Sequence, residues 1–129
     1  MPQAVSQEVL VSMFVGSSVD VDHFIAAQSF SLAAATHLTE RPWGHSLISC
    51  ASSSIFCYTI LGFRWGLLVF SAYLVHLLRD SVRRGLMLWR LSSEPLPHSF
   101  VFIIYFLLPM LLKRLLHPRE ASVKSYEEV

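Results

Sequence analysis

The sequence predicts an all-α protein, a small multi-pass transmembrane bundle of about three full spans. A short N-terminal helix and one interfacial or re-entrant helix complete it. Three observations lead there. The 129 residues are 53% hydrophobic and only 15% charged, against about 25% charged in an ordinary soluble domain. Uncharged apolar runs of membrane-helix character recur along the chain. No segment shows the alternation of a strand, and only helices or closed barrels satisfy backbone groups in lipid.

The elements follow in order. Val9 to Val19 is apolar but only eleven residues long, too short for the ~20 residues of a crossing. Phe24 to Leu38 is Ala-rich with Gln28, Ser29, Ser31 and His37 interspersed, which suits an interfacial or re-entrant helix. Ser46 to Phe63 has no charge and reads as the first full span, and its run from Ser49 to Ser54 offers small side chains that admit close helix packing, including other membrane helices. Gly62-Phe63-Arg64 reads as a tight turn. Trp65 to Leu78 is the second span, with Trp65 an interfacial anchor. Arg79 to Arg90 is basic and amphipathic if helical, and Ser92 to Pro97 is a loop by composition. Ser99 to Leu112 makes the third span. Residues 1–117 thus form a helical membrane domain, and 118–129 a disordered polar tail.

Composition also excludes functions. A net charge of +1 gives no basic surface for nucleic acid, so the partner expected is the lipid bilayer. Cys50 and Cys57 lie seven apart on one helix, about 10 Å along its axis, which excludes a mutual disulfide. The first eight residues lack a basic region, so no cleaved signal peptide is expected. Basic residues fall five on each side of the proposed layout, and orientation stays open.

Chemistry concentrates in three polar clusters. His76 and Asp80, four residues apart, share a helix face at the end of an apolar run, where ionisable groups in lipid mark a functional site. His45 opens the first span. The second span runs back, which brings His76 and Asp80 to the same membrane face. Asp20, Asp22 and His23 follow the short first helix, and a surface segment of 21 residues between His23 and His45 returns there naturally. Mixed imidazole and carboxylate donors suit a divalent metal such as zinc or manganese, and carboxylates suit magnesium. A metal would bring the pKa of a bound water towards about 7 for hydrolysis.

Each cluster also has an ordinary structural reading. Asp22 would cap a helix starting at His23, Asp80 would pair with Arg83 or Arg84, and His76 would sit among headgroups. His37, His98 and His117 fit surface positions better than ligation.

These residues carry a family resemblance. Ser18-Val-Asp20-Val-Asp22-His23-Phe24, Arg41-Pro42-Trp43-Gly-His45, His76-Leu-Leu-Arg79-Asp80-Ser-Val-Arg83-Arg-Gly85-Leu86 and Pro95-Leu96-Pro97 resemble the transmembrane protein 267 family, animal multi-pass membrane proteins without an established activity. More distantly, the Asp-x-Asp-His, His-Ser and His-x3-Asp series is similar to a bacterial inner-membrane family described as metal-dependent hydrolases. That resemblance implies Asp20, Asp22, His23, His45, His76 and Asp80 as metal or catalytic positions, with Arg41 meeting substrate charge or orienting it. The pattern departs at Glu40, where the bacterial family has a histidine. The relatives are also longer at the N-terminus, with an earlier membrane helix.

Two functions follow as expectations. One is a multi-pass membrane protein whose polar cluster is a packing network. The alternative is a metal-dependent membrane hydrolase acting on a lipid or phosphate ester. In it Asp22, His23, His45 and His76 hold metal, and Asp80 or Asp20 orients a ligand or acts as base. An ion carrier is less favoured, because the ionisable groups gather at one face.

Overall fold

A computed structural model describes residues 2–38 and 40–116, with side chains from residue 7 onward. The expected tail at 118–129 and His117 lie outside the described residues. The described residues form six α-helices: α1 (Pro2–Ser18), α2 (Val21–Ala26), α3 (Leu32–Thr36), α4 (Leu47–Leu61), α5 (Phe63–Arg84) and α6 (His98–Leu116). One 3-10 turn, Trp43–His45, precedes α4. The described residues contain two isolated bridges and no strand, as the sequence pattern requires.

The chain divides into two units, one ending at Leu96 and the other starting at Pro97. In the first, α5 packs against both α1 and α4. Gly62 makes the α4–α5 hairpin with φ +90°, in the left-handed region that glycine enters at little cost. The two helices approach closely where Gly66 meets Ser54 and Tyr58, and a Cβ there would lie 2.7 Å from the Tyr58 Cβ. The small-residue run thus serves contact within this hairpin. At the far end Val19, Cys50, Tyr73 and Leu77 form a buried cluster, with Leu47 and Leu86 packed on it. Both cysteines are free.

The distribution of spans corrects the expected three. Among the described residues, two segments are long and apolar enough to cross a membrane: Gln7–Ala26, running from α1 into α2, and α6. The N-terminal helix begins before the apolar run, at Pro2, and the crossing-length segment runs on through α2 to Ala26. Its Glu8 pairs with Arg64 at the start of α5. By contrast α4 has 15 residues, a rise of about 22 Å against ~30 Å of hydrocarbon. The 22-residue α5 is long enough, but its uncharged stretch is bounded by Arg64 and by Arg79 and Asp80. In the second unit, α6 extends beyond Ser99–Leu112 at both ends and runs through Pro109.

Two local expectations also change. Instead of one helix over 24–38, the chain breaks at Gln28 (φ +48°) into α2 and α3. Residues 79–90 are helical only to Arg84. Gly85 ends α5 with φ +74°, where a Cβ would collide with the Ser93 carbonyl. The segment 86–93 then folds over the start of α4. Amides at a helix N-terminus lack intrahelical partners; here the carbonyls of Met87 and Leu88 accept from Leu47 and Ile48 at 2.8 and 3.3 Å. Ser46 Oγ accepts from the Ser49 amide at 3.2 Å and completes the cap. His45 is therefore seated on a fixed helix start.

Candidate metal centre

Three elements meet at that helix start: α2, the 3-10 turn and the C-terminal part of α5. His45 is fully buried, and both of its ring nitrogens face other donors. On one side its Nδ1 lies 3.1 Å from Asp22 Oδ2. On the other, its Nε2 lies 3.2 Å from His76 Nε2, 3.6 Å from Asp20 Oδ1 and 3.5 Å from Asp80 Oδ2. His76 Nε2 is 3.3 Å from Asp20 Oδ1.

Among the described residues two donor triads result, with His45 in both: Asp20, His45 and His76, and Asp22, His23 and His45. The His23 and His45 rings stand edge to face, with centroids 4.5 Å apart. His23 Nδ1 and Asp22 Oδ1 are 3.0 Å apart. The pair lacks hydrogen-bond geometry, and both atoms are buried without a hydrogen-bond partner.

Backbone contacts set this arrangement. Gly44 lies so close to Asp22 that a Cβ would strike the carboxylate. The Tyr73 hydroxyl donates to the Gly44 carbonyl, and Ser49 Oγ donates to the Trp43 carbonyl at 2.8 Å. Gly44 and Tyr73 were not singled out from the sequence. The signal for Gly44 was its place beside His45. Tyr73 stands three residues before His76, hence on the same helix face.

Arg41 links the centre to the end of α5. Its Nη1 donates to the Gly85 carbonyl at 2.8 Å, and its Nη2 is 3.5 Å from Asp80 Oδ2. The side chain is only 10% exposed, and desolvation by burial pushes its guanidinium below the ordinary value, opposed by the Asp80 carboxylate. Guanidinium nonetheless remains charged in proteins.

The ordinary readings fare differently. Asp22 lies inside α2, which starts at Val21, and its carboxylate goes to His45 in place of capping. Asp80 pairs with Arg41 and His45, and His76 is buried. All six acid and imidazole positions anticipated from the sequence, with Arg41, thus come to one corner.

A neutral imidazole carries one N–H and one lone pair. If His45 Nδ1–H donates to Asp22, its Nε2 lone pair faces Asp20 and Asp80. Electron pairs then converge from several sides, and a proton or cation must sit among them. Donors about 2.0–2.1 Å from a tetrahedral zinc stand about 3.3 Å apart. The Asp20–His45–His76 separations of 3.2, 3.3 and 3.6 Å fit that requirement.

No family model matches the chain, and no solved structure matches it. It is 36% identical over 121 residues to transmembrane protein 267 of Mus musculus, covering 85% of this chain and 55% of that protein. Against the Xenopus laevis protein of the same name, identity is 34% over 111 residues, covering 79% and 52%. The Bos taurus protein is 29% identical over 120 residues. The chain spans about half the length of the curated relatives it matches. Two apolar segments fit for crossing a membrane agree with those relatives' name, and the protein is a membrane protein. On this evidence the chain belongs to the transmembrane protein 267 family.

Proposed function

We propose that this membrane protein binds a divalent cation through Asp20, His45 and His76. Asp22 holds His45 by its other nitrogen, an outer carboxylate of the kind that fixes the tautomer of metal-bound histidines. The observation that carries this reading is the set of separations around His45 Nε2, between 3.2 and 3.6 Å. Two imidazoles and one carboxylate suit zinc or manganese better than magnesium, which prefers oxygen. The bundle in this reading is multi-pass, with the centre near one membrane face.

Hydrolysis of a lipid or phosphate ester is the second reading, favoured by the position of Asp80. Its carboxylate stands beside His45 Nε2 but outside the donor triad, paired with Arg41. A divalent ion would supply Lewis acidity and acidify water at neutral pH. Asp80 would take a proton from the attacking water, and Arg41 would hold Asp80 in place.

Detergent-purified protein is expected to contain about one zinc or manganese ion per chain by elemental analysis, lost in His45→Ala. Protein free of metal, or metal content indifferent to that substitution, refutes the cation reading. Hydrolysis is tested separately, by release of phosphate or fatty acid from ester substrates. Activity abolished in Asp80→Asn with metal retained supports it.

A further inference from the structure

We infer that the centre holds one divalent cation in either of two positions, and that the tautomer of His45 selects between them. The inference rests on the cation reading above and adds a second position, formed by Asp22, His23 and the Nδ1 side of His45. The buried atoms Asp22 Oδ1 and His23 Nδ1, neither with a hydrogen-bond partner, supply the independent sign. They stand 3.0 Å apart as an ion pair without hydrogen-bond geometry, in a group whose ligand atoms, His45 included, lie within 4.8 Å of one another.

The chemistry of imidazole then limits the occupancy. With the proton on Nδ1, His45 donates to Asp22 across 3.1 Å, and Nε2 ligates on the Asp20–His76 side. With the proton on Nε2, the ring donates to His76 Nε2 across 3.2 Å, with the Asp20 and Asp80 carboxylates 3.6 and 3.5 Å away, and Nδ1 ligates on the Asp22–His23 side. Each position thus provides the acceptor that receives the proton when the ion sits in the other. Filling both together requires stripping the ring of its last proton. A neutral ring has one lone pair to give, so the centre takes one ion.

Cobalt(II) titration of the full chain in detergent, read by visible absorption, tests this. One Co²⁺ per chain is expected for the unaltered protein. His76→Gln and Asp20→Asn should each retain one Co²⁺, with affinity reduced roughly 10-fold or more and a changed visible spectrum. Adding His23→Gln to either should abolish binding. Asp20 is the most exposed of the ligands, so its substitution guards against a His76 variant that fails to fold, and far-UV circular dichroism checks both. Two Co²⁺ ions in the unaltered protein overturn the inference while leaving the cation reading intact. So does binding that is lost in both folded single variants, or that ignores His23→Gln in their background. No Co²⁺ at all in the unaltered protein overturns both.

Discussion

The two ends of the α1–α5 contact hold charge in opposite ways. At the Gly62 end, Glu8 and Arg64 form an ion pair with Arg64 45% exposed. One anion meets one cation, and solvent supports what they lack. At the other end, Asp20, Asp22 and Asp80 meet His23, His45 and His76 around a fully buried ring. Arg41 is the only arginine or lysine ion-paired there among the described residues. The first end is electrostatically complete. At the second, three carboxylates face one arginine, and the cation proposed above would complete that charge.

Substitutions sharpen that contrast. His45→Ala removes the ring common to both triads and should take metal content to background by elemental analysis. Gly44→Ala drives a methyl group into the Asp22 carboxylate. It should cost about 1–3 kcal/mol of stability, read as a lower unfolding temperature in detergent. Displacing Asp22 in this way should also weaken zinc binding by about 10–100-fold. Tyr73→Phe deletes the hydrogen bond to Gly44 and should cost about 1 kcal/mol by thermal unfolding, with metal still bound. Arg64→Gln at the other end should change stability by only about 0–1 kcal/mol and leave metal affinity untouched. An Arg64 variant that impaired metal binding would show that the two ends are not independent.

Much of the candidate centre was legible because each cluster sits at an element boundary and helix reversal fixes which end of the α4–α5 hairpin it reaches. His45 before α4, His76 and Asp80 late in α5, and Asp20 to His23 after α1 follow from that alone. Their division into two triads was not legible. Whether Asp20 or Asp22 faces His76 depends on the two-residue turn between α1 and α2, and a sequence pattern does not fix that angle. The spans were misjudged for another reason. Uncharged length was counted without knowing that Arg64 would pair with Glu8, or that α4 would end at Leu61. The 24–38 segment looked continuous because nothing in Ala-Gln-Ser marks Gln28 as a left-handed residue.

Along α5, Tyr73, His76 and Asp80 stand at intervals of three and four and fall within one narrow sector of the helix. Their phase is shared, so the segment tolerates changes of residue type far better than changes of length. A single codon gained or lost between Tyr73 and Asp80 would swing one of them by about 100°, out of reach of the turn bearing His45. A codon gained in the Ala27–Ser31 connection shifts no residue of α5 at all. Length variation in natural homologues should therefore collect in that connection and spare the eight positions from Tyr73 to Asp80.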